Sequence, residues 1–254
     1  MQNKKTTLSE CIIQSRHRNV NKIAIKYKKN ETWQDLNWKK YFETCEAVGL
    51  GIKELGICQQ DKVAIYSNTR YEWSAADLGI IGIQAVTVPI YQTVTLNDLE
   101  YILNNSEAKV VILENPSLLK NWNLIQSRCP LVEKVILIEG KQNSDCITWD
   151  QLIDLGAARK SRNEHEYIDD CKKAKSDDTI TIIYTSGTTG LPKGVELTHR
   201  QAISEASEAF PYAGANEEDI TLSFLPYAHI LGRVEHWGQL YIGYTIALPN
   251  QLKK

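Results

Sequence analysis

The sequence has no apolar run long enough to cross a bilayer. The longest, residues 78–90, is interrupted by Gln84, Thr87 and Pro89 and falls short of the roughly 20 residues that a spanning helix needs. Residues 1–10 are polar and lack the apolar centre of a secretion signal. The six cysteines, Cys11, Cys45, Cys58, Cys129, Cys146 and Cys171, show no C-x-x-C pair and no metal-ligand spacing, so they read as reduced thiols in a reducing, cytoplasmic setting. Excess charge is missing too. At a net charge of −2 no surface for a polyanion is implied, and nucleic acid is not an expected partner. Local clusters at Lys26, Lys28 and Lys29 and at Arg159, Lys160 and Arg162 sit among polar residues and read as solvated faces. There is no internal repeat and no low-complexity tract. With 43% hydrophobic residues in 254, the chain can bury a substantial core in one or two domains.

What is present alternates. A helix is expected over residues 38–55, stopped by Gly56, followed by a strand over 63–66, a helix through Ile81 and a strand over 85–90. A helix over 96–105 and strands over 109–113 and 135–138 come next. Ala75, Ala76, Leu78 and Gly79 suit the first of the later helices to close packing. This β-α-β order predicts an α/β fold, doubly wound, with largely parallel sheets and helices on both faces. Residues 1–155 read as a first α/β subdomain and 156–178 as a charged surface linker. Residues 179–254 read as the start of a second α/β subdomain.

The most informative stretch is residues 184–194, YTSGTTGLPKG. Residues 178–184 are rich in Ile and Thr and predict a buried strand, while Thr198 with Gln201 forms a capping box for a following helix. The loop is therefore expected at a strand-to-helix turn. Gly187 and Gly190 let backbone N–H groups turn inward, Thr185, Ser186, Thr188 and Thr189 add hydroxyl donors, and Lys193 adds a mobile positive charge. That is a grip for phosphates. It is not the P-loop of nucleotide triphosphatases, G-x-x-x-x-G-K-[ST], because the lysine falls three residues after Gly190 and a glycine follows it. A flexible linker has similar composition, yet linkers seldom follow such a strand or leave through Pro-Lys-Gly.

Other residues stay two-sided when read alone. His229 follows a strand-like run over 220–225 and so emerges at a carboxyl edge, where α/β sheets bind ligands; a satisfied structural histidine is the alternative. Arg70 and Glu72 belong either to a site or to a solvated helix start. Arg233 and Trp237, at successive four-residue steps from His229, either stack as cation on indole or shape a cavity mouth.

Residues 184–194 with the following VELTH resemble the phosphate-loop signature of the adenylate-forming, or AMP-binding, superfamily of acyl-CoA synthetases, luciferases and peptide-synthetase adenylation domains. Residues 67–73 (SNTRYEW), 88–93 (VPIYQT) and 224–235 (FLPYAHILGRVE) are similar to long-chain fatty acyl-CoA synthetases, in the family's order. The resemblance implies ATP-dependent activation of a long-chain fatty acid to an acyl-adenylate and then, with coenzyme A, to a thioester, with Mg²⁺ assisting. It implies that Thr185, Ser186, Gly187, Thr188, Thr189, Gly190 and Lys193 hold the phosphates. His229, the candidate catalytic residue, would border the acyl and α-phosphate region. Some fatty-acid members place a gating tryptophan four residues after this histidine; here that position is Arg233.

The resemblance also implies that these residues cover less than half of a synthetase. The later Thr-Glu loop, the ribose-holding aspartate, the adenine floor, the mobile C-terminal domain and most of the coenzyme A site fall outside them. The strand expected over 244–249 then leaves a sheet edge uncovered, and a continuation or a separate chain is expected to complete the active enzyme. Peripheral contact with a membrane is compatible with a fatty-acid substrate. The alternatives are a non-catalytic nucleotide- or acyl-binding fragment, and a synthetase for an aryl or medium-chain acid.

Overall fold

Strands that are apolar on both faces need cover on both sides. The chain provides three in a row, β3 (Lys62–Tyr66), β4 (Val86–Ile90) and β5 (Ala108–Leu113), and they form the centre of a seven-stranded sheet. The computed structural model describes residues 5–18, 20–141, 146–185 and 190–249. In the sheet, β3 lies parallel to both neighbours, with Ile65 opposite Pro89 and Ile112. β6 (Lys134–Leu137) and the short β7 (Ile147–Thr148) extend it on one side, and β8 (Thr179–Thr185) and β9 (Lys193–Thr198) on the other. β9 runs antiparallel to β8 and the others run parallel.

Alternate side chains divide between two cores. Val63, Ile65, Val110 and Ile112 face α2 (Trp38–Glu54) and α3 (Tyr71–Gly82), whereas Ala64, Tyr66, Val111 and Leu113 face α4 (Leu96–Asn105) and α5 (Pro116–Asn123). Helices therefore cover both faces, as the β-α-β order predicts. Three of these helices start from a side-chain cap, since Asn37, Thr95 and Asn115 accept backbone N–H groups from the first turns of α2, α4 and α5.

A second, four-stranded sheet has the order β10 (Ile220–Leu222), β11 (Thr245–Leu248), β1 (Ile23–Lys29) and β2 (Thr32–Asn37). α8 (His199–Tyr212) and α9 (Ile230–Ile242) pack together beside it, with α1 (Leu8–Ser15) against α9. The Arg18 guanidinium donates to the carbonyls of Leu240, Tyr241 and Ile242 at 2.9–3.1 Å, so a side chain from the amino-terminal region caps the carboxyl end of α9.

Three expectations change. The charged segment 156–178, expected as a surface linker, is largely helical: α6 (Trp149–Arg162) runs through its first part and α7 (Glu166–Lys173) through its middle. Tyr167 is fully buried and donates its hydroxyl to Leu78 O at 2.9 Å, and Cys171 is buried beside it. A stripe of apolar residues at helical spacing anchors α7, while Arg159, Lys53 and Glu166 pair on its flank. The sheets also interleave the two halves of the sequence, since β8 pairs with β4 while β1 pairs with β11. Finally, the next element after β8 is an antiparallel strand, β9, and not a helix; the expected helix, α8, starts after β9, where Thr198 N–H donates to Gln201 Oε1 at 2.7 Å.

Two buried histidines make stability depend on pH. His199 accepts the Leu8 N–H on Nδ1 at 3.1 Å, and burial pushes its ring down from 6.5 to about 4. His236 is wholly buried, and burial followed by the nearby Arg233 charge pushes it down to about 3. Both rings bind a proton in the unfolded chain well before they do so in the folded one. Stability is therefore complete above the unfolded value and falls as pH drops below 6.5, by about 2 kcal/mol for each ring at pH 5. Urea midpoints at pH 7 and pH 5 are expected to show this loss, and His199→Asn, which keeps an acceptor for Leu8, is expected to remove about half of it.

Candidate active site

Of the phosphate-loop candidates, Thr185 and Lys193 lie on the antiparallel β8–β9 pair at the edge of the seven-stranded sheet, and Gly190 lies between the two strands in sequence. Thr185, the last residue of β8, pairs with Lys193, the first of β9. Both side chains are exposed at the carboxyl edge. Gly190 has φ +96°, a left-handed conformation that glycine adopts without strain, and no atom of the described residues stands within 4 Å of where a Cβ would lie. Ser186, Gly187, Thr188 and Thr189 lie outside the described residues. Next to Thr185, Tyr184 donates to Asn105 Oδ1 at 2.6 Å and meets Tyr101 edge-on, which fixes this end of β8 against α4.

Thr185 and Pro192 line a cleft of about 420 Å³ at the carboxyl ends of β4 and β8, and His229 lines the same cleft. The sequence separates these residues, and the fold brings them together. Ile90, Val94, Ile102, Ile183, Ala228 and Ile230 make the walls largely apolar. His229 is the N-cap of α9: its Nδ1 accepts the Leu231 N–H at 3.2 Å. An acceptor on Nδ1 leaves the proton of the neutral ring on Nε2, so the free edge of the imidazole is a donor.

A second, more polar cleft of about 770 Å³ opens at the carboxyl ends of β3, β5 and β6. Here Arg70 and Glu72 are not a solvated helix start. Arg70 donates Nε and Nη2 to Glu72 at 2.6 and 2.9 Å and Nη1 to Glu139 at 2.7 Å, and Glu72 is buried. Glu114 accepts from Asn68 N–H at 2.7 Å, from Ser67 and from Gln92. Thr69 accepts the Tyr227 N–H at 2.9 Å and donates to Leu225 O at 3.2 Å, tying the turn after β3 to the segment that precedes His229. Residues 67–73, 88–93 and 224–235 thus meet along one edge.

Arg233 is fully buried rather than at a cavity mouth. Its Nη2 donates to Asp77 Oδ1 at 2.9 Å and its Nη1 to Thr181 Oγ1 at 3.2 Å, and the guanidinium lies between Trp73 and Trp237 at 5.2 and 5.1 Å from the ring centroids. The stacking expected between Arg233 and Trp237 is present; it is internal. Asp77 Oδ1 also accepts from Thr87 at 2.7 Å, and Thr181 donates to Thr87 O at 2.8 Å. Burial pushes the Asp77 carboxyl up, opposed by Arg233 and by the Thr87 bond.

A profile of the AMP-binding enzymes matches residues 13–254. The chain belongs to the AMP-binding enzyme family. Its relatives include the long-chain-fatty-acid–CoA ligase FadD15 of Mycobacterium bovis, 32% identical over 223 residues that make up 87% of this chain and 36% of that protein. Fatty acyl-CoA synthetase A of Dictyostelium discoideum is 30% identical over 236 residues, 86% of this chain and 33% of that one. Among solved structures, the long-chain-fatty-acid–CoA ligase FadD1 from Archaeoglobus fulgidus superposes with a TM-score of 0.80 at 21% identity, covering 97% of this chain and 48% of that chain. The anthranilate CoA ligase AuaEII in complex with anthranoyl-AMP gives 0.80 at 19% identity, covering 95% and 44%. The chain therefore shares its fold with the matching part of the large N-terminal domain of adenylate-forming enzymes. The chain spans about a third of the length of the curated relatives it matches.

Within this family fold, Asp77, Thr87, Thr181 and His236 are residues that sequence reasoning does not single out. A signal is available for the ion pair: Asp77 is a lone acid in the apolar stretch 75–83, and Arg233 is the one arginine or lysine on α9 and faces inward. Ions on otherwise apolar helices are rarely buried unless paired.

Proposed function

We propose that this chain supplies the phosphate-gripping part of an ATP-dependent long-chain fatty acyl-CoA synthetase. The observation that carries this reading is the convergence of Thr185 and Pro192, from the hydroxyl- and glycine-rich stretch, with His229 on one apolar cleft at a carboxyl sheet edge. Ser186, Thr188, Thr189, Gly187 and Gly190 would hold the β- and γ-phosphates, with Thr185 at the root and the Lys193 ammonium neutralising charge. The acid's carboxylate oxygen attacks the α-phosphorus, and the bond to the pyrophosphate oxygen breaks. The thiol of coenzyme A then attacks the acyl carbonyl and AMP leaves. His229 donates from Nε2 to an oxygen of the α-phosphate or carboxylate. A long-chain acid fits the apolar walls and the activities for which the relatives are named.

Mg²⁺ is the expected companion of ATP. No group of three or more metal-ligating side chains occurs among the described residues, and Asp98 is the one carboxylate lining this cleft, so the described residues do not form a metal cage and no step is assigned to the ion. No helix among the described residues is long and apolar enough to cross a membrane. A cytoplasmic setting agrees with six scattered cysteines, five of them buried.

Lys193→Ala is expected to weaken binding of a fluorescent ATP analogue about 10- to 100-fold, the range for one charge-assisted hydrogen bond. Equal binding by both chains would remove the phosphate-grip reading. The 254 residues alone are expected to bind nucleotide without palmitate-dependent AMP release. In a chain carrying the whole family domain, palmitate is expected to outpace octanoate and benzoate, and a preference for benzoate would reassign the substrate.

A further inference from the structure

We infer that Asp77 and Arg233 are positioning residues for the cleft: the buried pair sets the first turn of α9 so that His229 keeps its ring proton on Nε2 and presents it beside Thr185. The inference rests on the proposed synthetase reading for its functional meaning and on geometry for its content. Arg233 lies one turn after His229 on α9, and its N–H donates to His229 O at 3.1 Å. Its guanidinium is anchored to Asp77 on α3 and to Thr181 on β8, four residues before Thr185. Asp77 is bonded in turn to Thr87 on β4, three residues before Ile90. One cluster therefore joins both strands whose ends line the cleft to the helix that carries the histidine.

The preceding segment is held independently. Thr69 grips Leu225 and Tyr227, and the Tyr227 ring packs against Trp73 and stacks on His236. With residues 225–227 fixed on one side and Arg233 on the other, the backbone between them has little freedom, and the Leu231 N–H stays aimed at His229 Nδ1. The arrangement sacrifices stability. Asp77 Oδ2, Arg233 Nε and both nitrogens of His236 have no hydrogen-bond partner among the described residues. An apolar core of the same volume would serve stability at least as well, whereas a charged pair between two indoles specifies one helix position.

The test reads the His229 ring directly, by long-range ¹H–¹⁵N spectra of the labelled 254-residue chain, with His229→Gln to assign its signals. The parent chain is expected to show an unprotonated Nδ1 and a protonated Nε2; the opposite tautomer overturns the inference. In Asp77→Leu/Arg233→Met, which removes both charges together, the Nδ1 resonance is expected to move toward the tautomer average while far-UV circular dichroism stays unchanged. A folded double variant with an unchanged His229 signal overturns the inference. Should the double variant fail to fold, Thr181→Val decides, because it removes one anchor of Arg233 and leaves the ion pair: a smaller shift in the same direction supports the role, and no shift refutes it. Binding of the ATP analogue is followed in parallel. Its absence alongside the His229 response removes the synthetase reading and still supports the positioning of the ring.

Discussion

Gly156→Val is expected to destroy the folded state. Gly156 lies where α6 crosses α2, and a Cβ there would stand 1.8 Å from Ala47 O and 2.6 Å from Ala47 C. Both obstacles are backbone atoms of a helix, so no rotamer change relieves the clash and the two helices must separate. Separation undoes the neighbouring contact, in which Leu152 O sits 2.3 Å from where a Cβ on Gly51 would lie, and loosens Trp149 and Leu152, which are buried against α2. Inserting a side chain into a full core commonly costs about 1–3 kcal/mol; displacing a helix that carries several core residues should cost about 4 kcal/mol or more. That approaches the lower end of the net stability of an ordinary domain, about 5–15 kcal/mol. Gly214→Ala is the control. Gly214 has φ +75° and open space around it, so only backbone strain of about 1 kcal/mol is added. Thermal melts followed by circular dichroism should show a lowered midpoint for the control and no cooperative transition for Gly156→Val. A cooperative melt near the parent midpoint would mean that α2 and α6 are not packed as described.

The central strands and α4 are legible in the sequence because several local signals agree there. Residues 96–105 follow a threonine cap and keep one apolar stripe, and the helix occupies that same range. β3, β4 and β5 are continuous apolar runs, which fits a parallel sheet covered on both faces. Elsewhere one signal masks another. In α7 the charges of Glu166, Asp169, Asp170, Lys172 and Lys173 outnumber Tyr167, Ile168 and Cys171, and composition hides the stripe that buries the helix. β9 lies within the residues that read as the loop's exit, which conceals its pairing with β8. The β1–β2 hairpin turns at Asn30 and Glu31, both at positive φ, without the glycine that usually marks such a turn.

The candidate site divides along the same line. Its loop is local in sequence and can be read from composition. The cleft that joins Thr185 to His229 follows only from the parallel order of β4 and β8 and the placement of α9. Asp77 and Arg233 are 156 residues apart, and neither residue alone indicates the other. Pairing across such a separation is a property of the packed helices, in which both ions are shielded wholly from water.

Arg233→Met is expected to destabilise the chain far more than Asp77→Leu/Arg233→Met. The single change leaves Asp77 with its Thr87 bond and, 3.6 Å from Oδ2, a buried His236 ring that is neutral at pH 7, at a site with no solvent exposure. Breaking a buried pair in this way costs about 3–5 kcal/mol, while replacing both partners by apolar side chains of similar volume is often neutral. In the double variant Thr87 loses its carboxylate acceptor, a loss of about 1 kcal/mol, and the Thr181 hydroxyl keeps its bond to Thr87 O. The pH dependence should separate the two as well. Burial already pushes the Asp77 carboxyl above its ordinary value, and removing Arg233 raises it further, so the folded state of Arg233→Met takes up a proton as pH falls. A carboxyl raised in the folded state favours folding at low pH and loses that contribution as pH rises through the folded value. The penalty of Arg233→Met relative to the parent should therefore shrink between pH 7 and pH 5, and by more than the difference between the parent and the double variant changes. Urea midpoints of the three chains at the two pH values measure both effects. A penalty for Arg233→Met that is small at pH 7, or that grows on acidification, would mean that the Asp77 charge is compensated by something other than Arg233.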